Sequence, residues 1–397
     1  MPIKKIPVIA GMDNAREDEA LERGGDSPSL HVRDALNLDI SDTGRISMRQ
    51  GMSLQTEKPF KWLWQSSLHG DSFASLQGDW VKVDPQSWTH EILIAGAGQG
   101  QLKHIVLNNQ VLMCSDSGLF SYDGRKAQRF TLDTPPAPYV SIDQSGSLHE
   151  GQYSFAVSWL RNGAESGLSE ISAVQCTGQG NALVAFPLCV DQSISHVRLY
   201  ASEAGGGELR RVEDYPISTD HVQIPLLSAL GHATTTQYLD PIPQGKYLNL
   251  WRGRLITVRA NVLYFSQALA FHLCDMRYSF IQLPQRITFA EPVDGGIWVG
   301  QTDHTVFLRG ADLDQLIIEP KASARPVPDS SFIADNALLD GIGSGGSSTA
   351  VWLSEKGFVA GTADGQLLEL HKGILKNISA HSCTAVGLEG RVTAVVN

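Results

Sequence analysis

The chain has 397 residues, of which 42% are hydrophobic and 18% charged, and its formal net charge is −11. This composition is typical of a folded protein that is long enough for two domains, and it excludes a mainly disordered chain. An acidic surface repels phosphate groups, so stable binding of nucleic acid is not expected. No apolar run reaches the roughly 18 residues that cross a bilayer, so we expect no membrane span.

Residues 1–32 differ from the rest of the chain because a short apolar stretch is followed by a polar, strongly charged segment. The apolar stretch is too short for a secretory signal, so synthesis and retention in a cytoplasm are expected. One short helix is predicted over residues 15–22, with Asp13 or Asn14 as its cap. We interpret this segment as an N-terminal arm, which is either a flexible tail or orders on a neighbouring subunit.

Strand patterns begin at residue 33 and soon form a recurring unit of an apolar run, a polar tip and a second apolar run. The tips carry Asp, Gly or Asn, which favour tight hairpin turns. The units are residues 111–122, 255–265, 297–308 and 358–370. The last three start about 40 and 60 residues apart, a spacing typical of propeller blades. The pattern predicts an all-β fold, a β-propeller of about five or six blades.

Proline clusters at 135–138 and 241–243 enclose about 100 residues with a different strand pattern. Roughly seven short strands at regular spacing favour an inserted immunoglobulin- or fibronectin type III-like β-sandwich. The predicted domains are therefore the arm at 1–32, a first propeller part at 33–134, the sandwich at 135–243 and a second propeller part at 244–397. The apolar strand near the C-terminus predicts ring closure, in which it shares a blade with an N-terminal strand near residues 36–40.

No motif specifies a catalytic centre, a metal site or a cofactor. The five cysteines are scattered and the twelve histidines lack metal-ligand spacing, so we expect free thiols and no metal. The Gly96–Gly100 segment precedes a strand rather than a helix, which favours a flexible inter-blade loop over a phosphate site. Asp116 and Asp364 lie in incomplete Asp-box turns, for which a structural role is expected. Trp298 and Trp352 are predicted to pack in the core, with sugar stacking as the alternative.

Three stretches carry a family resemblance: Leu36–Asp39 followed by Gly44–Gly51, Gly151–Val157 followed by Glu165–Ser169, and Tyr264–Ser266 followed by Gly296–Val299 and Val306–Gly310. They resemble β-propeller virion proteins of tailed bacteriophages that carry a fibronectin-like module. The resemblance covers most of residues 33–397 but does not extend to the arm.

This resemblance implies a non-enzymatic structural component of a phage tail, at the tail tip, baseplate or neck. Such a protein would be assembled in the host cytoplasm and would end in the virion. It would contact other tail proteins and form a homo-oligomer with three- or six-fold symmetry. The arm residues Met12, Asp13, Asn14 and Arg16 are the expected assembly contacts.

Two alternatives remain open from the sequence. A propeller that binds host-surface carbohydrate predicts aromatic clusters in equivalent loops of successive blades. A glycoside hydrolase or sialidase predicts paired carboxylates or an arginine cluster that faces the central axis.

Overall fold

The computed structural model describes residues 8–23, 29–41, 43–49, 51, 53–68, 70–334, 348–388 and 391–397, with the backbone alone at Arg23, Leu388 and Arg391. These residues form β-strands and two 3-10 turns, Asp18–Ala20 and Leu313–Gln315, and they contain no α-helix. The all-β class predicted from the sequence is thus confirmed. Within these ranges, no helix has the length and apolar character needed to cross a membrane.

The N-terminal arm folds onto its own chain. Its strands are β1 (Val8–Met12), β2 (Glu22–Arg23) and β3 (Ser29–Val32), with β3 between the other two. The helix predicted over residues 15–22 is wrong, because only Asp18–Ala20 forms a single 3-10 turn. The Asp13 carboxylate accepts the backbone N–H groups of Ala15 and Arg16, a local turn that competes with an α-helix. Residues 1–7 and 24–28 of the arm lie outside the described residues.

A short hairpin and the first two blades follow. The hairpin, called the N-terminal hairpin below, consists of β4 (Leu38–Ile40) and β5 (Ile46–Met48). Blades 1 and 2 are four-stranded antiparallel sheets in which sequence neighbours are also sheet neighbours. Blade 1 comprises β6 (Lys61–Gln65), β7 (Ser72–Leu76), β8 (Asp79–Val83) and β9 (His90–Ile94), and blade 2 comprises β10 (Lys103–Leu107), β11 (Gln110–Ser115), β12 (Gly118–Tyr122) and β13 (Ala127–Arg129).

A two-sheet sandwich interrupts the propeller after blade 2. One sheet has the order β14-β18-β21, and the other has β16 and β17 on β15, followed by β19 and β20. The strands are β14 (Tyr139–Leu148), β15 (Gly151–Arg161), β16 (Ala164–Glu165), β17 (Ser172–Cys176), β18 (Gly180–Ala185), β19 (His196–Ala201), β20 (Arg210–Pro216) and β21 (His221–Ile224). Side chains from both sheets form one buried core, which includes Phe155, Trp159, Val184 and Leu199.

Three further blades complete the described propeller. Blade 3 is β23 (Lys246–Trp251), β24 (Arg254–Arg259), β25 (Val262–Phe265) and β27 (Phe280–Gln282), with β22 (Asp240–Pro241) and β26 (Leu273–Cys274) paired beside it. Blade 4 is β28 (Ile287–Val293), β29 (Gly296–Gln301), β30 (Thr305–Arg309) and β31 (Ile317–Lys321). Blade 5 is β32 (Phe332–Ala334), β33 (Thr349–Ser354), β34 (Gly357–Gly361) and β35 (Leu367–Glu369), and a C-terminal hairpin of β36 (Cys383–Leu388) and β37 (Arg391–Val396) follows it.

The described chain therefore contains five four-stranded blades and a two-stranded C-terminal hairpin. The predicted pairing of the C-terminal strand with a strand near residues 36–40 is not found among the described strands. There β4 pairs with β5, and β36 pairs with β37. A short local hairpin closes a much smaller loop than a pairing between the two chain ends, so it costs less entropy.

Large aromatic side chains fill the space between neighbouring blades. Trp298 and Trp352 are fully buried with ring centroids 5.5 Å apart, which joins blade 4 to blade 5. Phe289 packs against Trp352 at 5.0 Å. The core position predicted for both tryptophans is confirmed. Their burial stabilises the ring because aromatic side chains remove large apolar areas from water.

Close polar contacts fix the sandwich against the propeller. His272, in the loop between β25 and β27, lies 2.7 Å from the backbone oxygen of Glu165 through its Nε2. The Arg161 guanidinium, which is buried, donates to the backbone oxygen of Phe130 at 2.6 Å. Gly167 fits against the neighbouring backbone so closely that a Cβ there would lie 1.9 Å from the Leu239 oxygen.

Substitution of Gly167 by Ala is expected to destabilise this junction. The added methyl group forces the Leu239 backbone away, at a cost of roughly 1–3 kcal/mol for overpacking. Thermal unfolding and limited proteolysis at the two linkers of the sandwich measure the effect. Gly207→Ala is the matched control, since a Cβ there meets no atom within 4 Å. Equal unfolding temperatures and digestion rates for the two variants would contradict a tight junction.

His104 makes the stability of blades 1 and 2 dependent on pH. Its ring is buried, stacks on Trp64 at 5.2 Å and lies 3.2 Å from the indole N–H of Trp80. Burial, followed by the charge of Lys103, lowers the pKa of His104 from 6.5 to about 3. The unfolded chain thus binds a proton at a pH where the folded chain does not, so stability is complete above about pH 6.5 and falls as the pH drops towards 3.

We expect His104→Gln to flatten this acid dependence, since glutamine can accept the Trp80 N–H but does not titrate. The wild-type free energy of unfolding should fall by up to about 1.4 kcal/mol per pH unit below pH 6.5 from this group. Urea titrations from pH 7 to pH 4 measure the slope. His221→Gln, at an exposed position of β21, is the control. Parallel pH curves for wild type and His104→Gln would contradict this assignment.

Candidate functional site

A buried carboxylate at the centre of the ring joins four blades. Glu291 of β28 is 3% exposed and accepts hydrogen bonds from Asn249 Nδ2 at 3.1 Å and from Ser331 Oγ at 2.8 Å. Lys103 Nζ lies 3.8 Å from its Oε1. Lys103 belongs to the first strand of blade 2 and Glu291 to the first strand of blade 4. Because blades 2 and 4 are not neighbours, a contact between them lies at the axis. We call these four residues the axial cluster.

A second polar contact spans the ring near the start of the inner strands. The Asp329 carboxylate, in the loop before blade 5, accepts from Gln101 Nε2 at 2.9 Å and from the Tyr247 hydroxyl at 2.8 Å. Gln101 lies in the loop before blade 2, and Tyr247 is the second residue of β23. Burial, followed by the nearby Asp329 charge, raises the pKa of Tyr247, so its hydroxyl stays protonated and donates.

The hydrolase alternative requires paired carboxylates that face the axis, and Glu291 and Asp329 are two carboxylates in contacts between blades. Each is already engaged by donors from other blades, an arrangement that stabilises a buried charge. No group of three or more His, Cys, Asp or Glu side chains that could hold a metal ion occurs among the residues described. The expectation of a non-enzymatic protein remains a prediction.

A cavity of about 300 Å³ opens beside Tyr247, on the face where the inner strands of the blades begin. We call it the entry-face pocket. Its lining combines the first residues of blade 3 with loops of blades 2, 3 and 4: Asp116, Gln244, Gly245, Lys246, Tyr247, Val258, Arg259, Ala260, Arg286 and Ile287.

Three cations of this pocket are without a close acidic partner. The described part of the chain contains no ion pair or hydrogen bond made by the side chains of Lys246, Arg259 or Arg286. Arg259 and Arg286 are exposed, and Lys246 is half-buried. The pocket is therefore locally positive in a chain whose net charge is −11. Such a concave positive surface attracts anions.

The predicted arm residues lie elsewhere, where the arm meets the segment after blade 5. The Asn14 side chain donates to the Lys376 oxygen at 3.2 Å and accepts the Lys376 N–H at 2.9 Å. Arg16 is paired with the buried Asp13 at 3.5 Å, and Met12 lies opposite Val32 in the sheet. The side-chain amide of Asn14 is thus used within its own chain. The assembly role of these four residues stays a prediction.

The glycine-rich segment and the Asp-box turns have structural contacts. Gly96 N–H donates to Asp79 at 2.7 Å, and Ser115 Oγ donates to the Ala97 oxygen at 2.6 Å, so this inter-blade loop is pinned rather than flexible. Asp364 accepts from the Thr362 hydroxyl within its own turn. Asp116, by contrast, follows β11 and lines the entry-face pocket.

Sequence reasoning missed Lys246, Arg259 and Arg286 as a group. Each follows or precedes a strand of a predicted unit, but the three positions are separated in sequence and only the order of the blades brings them together. The one available signal was their location next to inter-strand turns on the same face of successive blades.

The sequence matches no family model and no curated protein. Solved structures with similar arrangements include the WD40 domain of SCAP from fission yeast, at 10% identity over 77% of this chain and 62% of that chain, with a TM-score of 0.26. The extracellular domain of a hybrid two component system from B. thetaiotaomicron gives 8% identity, 87% and 55% coverage and a TM-score of 0.24. Hsv2 from Kluyveromyces lactis gives 10% identity, 86% and 98% coverage and a TM-score of 0.19.

The chain thus spans less than two thirds of the first two of these solved structures. At such low TM-scores the similarities carry no argument about function. The propeller assignment depends on the strand order of the five blades, which is all-β and antiparallel throughout.

Tyr247→Phe is expected to destabilise the protein by about 1–3 kcal/mol, because it removes a hydrogen bond to a carboxylate that lies inside the ring. Chemical denaturation measures the change. Tyr264→Phe serves as the control, since the structure shows no hydrogen bond from the Tyr264 hydroxyl to any residue it describes. A loss of equal size in both variants would contradict a role for the contact between Tyr247 and Asp329.

Proposed function

We propose that this chain is a non-enzymatic structural component of a bacteriophage tail, at the tail tip, baseplate or neck. It acts as a stiff scaffold that is assembled in the host cytoplasm and docks neighbouring tail proteins or fibres. The observation that carries the proposal is the C-terminal hairpin, whose two strands pair with no further strand among the residues that the structure describes.

The C-terminal hairpin has two strands where blades 1 to 5 have four. Its inner face packs on blade 5 through Cys383, Ala385 and Ala394. On the opposite face Val386 and Val395 are exposed by 53% and 60%. An open sheet edge with apolar side chains is a template for strand addition, and stable monomers normally cover it.

The N-terminal hairpin supplies what this open sheet lacks. It also has two strands, and large apolar side chains in and beside it face solvent, with Leu36 79%, Met48 82% and Leu54 81% exposed. An apolar surface of this kind marks a protein contact. Two strands from each hairpin together make a four-stranded blade. We therefore assign the N-terminal hairpin of one copy to the C-terminal hairpin of the next, which generates a homo-oligomer.

The rigid junction between sandwich and propeller also supports a scaffold. Contacts such as those of His272 and Arg161 hold the sandwich in one orientation. A module fixed in this way presents a defined surface to a second protein without an ordering cost on binding.

Met48→Asp and Val395→Asp are expected to reduce the oligomer to a monomer, because each places a charge in the apolar contact between copies. Both sites are exposed, so the unfolding temperature should change little. Light scattering coupled to size exclusion measures the mass, and complementation of a phage that lacks the gene measures incorporation into tails. Leu188→Asp, at an exposed position of the sandwich, is the control.

Monomeric wild-type protein at all concentrations would contradict assembly through the open blade. Normal oligomers and normal tails for both Asp variants would contradict it as well.

A further inference from the structure

The entry-face pocket has the features of a ligand site that the scaffold itself does not need. Its three cations are the first residue of β23, the last residue of β24 and the residue before β28, and they carry no acidic partner among the described residues. Like charges in one cavity repel each other, which disfavours the folded state unless a counter-ion is present. A site that gathers positive charge in an acidic protein therefore indicates an anionic ligand.

The second feature is a pair of hydrogen-bond acceptors, Asp116 and Gln244, in the same lining. The Asp116 backbone N–H donates to the Gln99 oxygen at 3.1 Å. Its carboxylate lies against Gly100, where a Cβ would approach Asp116 Oδ2 to 2.1 Å. Gln244 lines the same cavity. A carboxylate and an amide oxygen accept hydrogen bonds from hydroxyl groups but repel a bare anion.

The third feature is the floor of the pocket. Tyr247 is held in place by its hydroxyl bond to Asp329, which is in turn bound by Gln101 from across the ring. This contact fixes the start of β23, and with it Lys246, before any ligand binds. Preorganised donors lose less entropy on binding than mobile ones.

We propose that this pocket binds a small hydroxylated anion, a sugar-sized molecule that carries one phosphate or carboxylate group. Arg259 and Arg286 bind the anionic group through their planar guanidinium forks, and Lys246 adds a point charge. Asp116 and Gln244 accept hydrogen bonds from the hydroxyl groups. The volume of about 300 Å³ is at the lower end for ligand pockets, which fits a single sugar unit.

Isothermal titration calorimetry on the full chain at low salt tests this inference with four probes: glucose 6-phosphate, glucuronate, glucose and inorganic phosphate. We expect saturable binding of glucose 6-phosphate, of glucuronate or of both, and the arm that binds identifies the anionic group. Glucose and inorganic phosphate should bind at least about tenfold more weakly, since each has only half of the recognised chemistry. Binding should weaken as salt is added.

Arg259→Gln and Arg286→Gln should each lower the affinity at least about tenfold, because a charge-assisted hydrogen bond is lost. Both side chains are exposed, and unchanged unfolding temperatures will show that the variants fold. Arg125→Gln removes the same charge from the loop between β12 and β13 on the opposite face, and it should bind like the wild type.

Three results would overturn the inference: no binding of either sugar anion at millimolar concentration, equal binding of glucose, or unchanged affinity in the double variant of Arg259 and Arg286. None of these results depends on oligomer mass or on tail assembly. Failure of the ligand proposal can therefore be distinguished from failure of the proposed structural role.

Discussion

The ring depends on one buried charge contact. Glu291 is almost completely buried, and its carboxylate accepts hydrogen bonds from Asn249 and Ser331 and lies 3.8 Å from Lys103 Nζ, so its partners come from other blades. Loss of one partner leaves a buried charge uncompensated, which costs far more than a surface ion pair contributes. The requirement links blades 2 to 5 at the axis. The hydrogen bonds that Asp329 accepts from Tyr247 and Gln101 also link separate blades, closer to the entry face.

The contacts at the axis hold the blades that carry the sandwich and the entry-face pocket. The sandwich enters after blade 2 and returns beside blade 3, so both of its linkers start from blades that the axial cluster holds. The same blades position the entry-face pocket. Its lining residue Lys246 directly precedes Tyr247, which the hydrogen bond to Asp329 holds in place. The open C-terminal hairpin lies at the other limit of the ring, beyond blade 5. We interpret the molecule as a rigid body with an assembly edge and a separate ligand pocket.

Local patterns in the sequence predicted the fold well, and long-range pairings poorly. The four recurring units became β11–β12, β24–β25, β29–β30 and β34–β35, since turn residues and alternation act within about ten residues. The burial of Trp298 and Trp352 followed from their place inside these units. The pairing predicted between the C-terminal strand and residues 36–40 is not found among the described strands, where β36 pairs with β37 and β4 with β5.

The residues of the pocket could not be predicted from the sequence, because they are brought together only by long-range contacts between blades. Asp116 was recognised only as part of a turn, although it also lines the pocket. Arg259 at the end of β24 and Arg286 before β28 stand 27 positions apart in the sequence, and only the order of the blades places them on one face. The arm residues were expected to contact a neighbouring subunit, yet the Asn14 side chain is bound to Lys376 of its own chain. The sequence does not show which segment of the chain the arm meets.

Immunogold electron microscopy of tailed particles, from the strain that encodes this chain, tests the structural role most directly. An antibody to the sandwich is suitable because this domain has its own core and two linkers join it to the propeller. A structural role in the tail predicts label confined to one position on the particle, at the tail tip, baseplate or neck. Particles without label, together with label in the cell, would contradict a virion component and would favour a cellular propeller that binds or cleaves glycans.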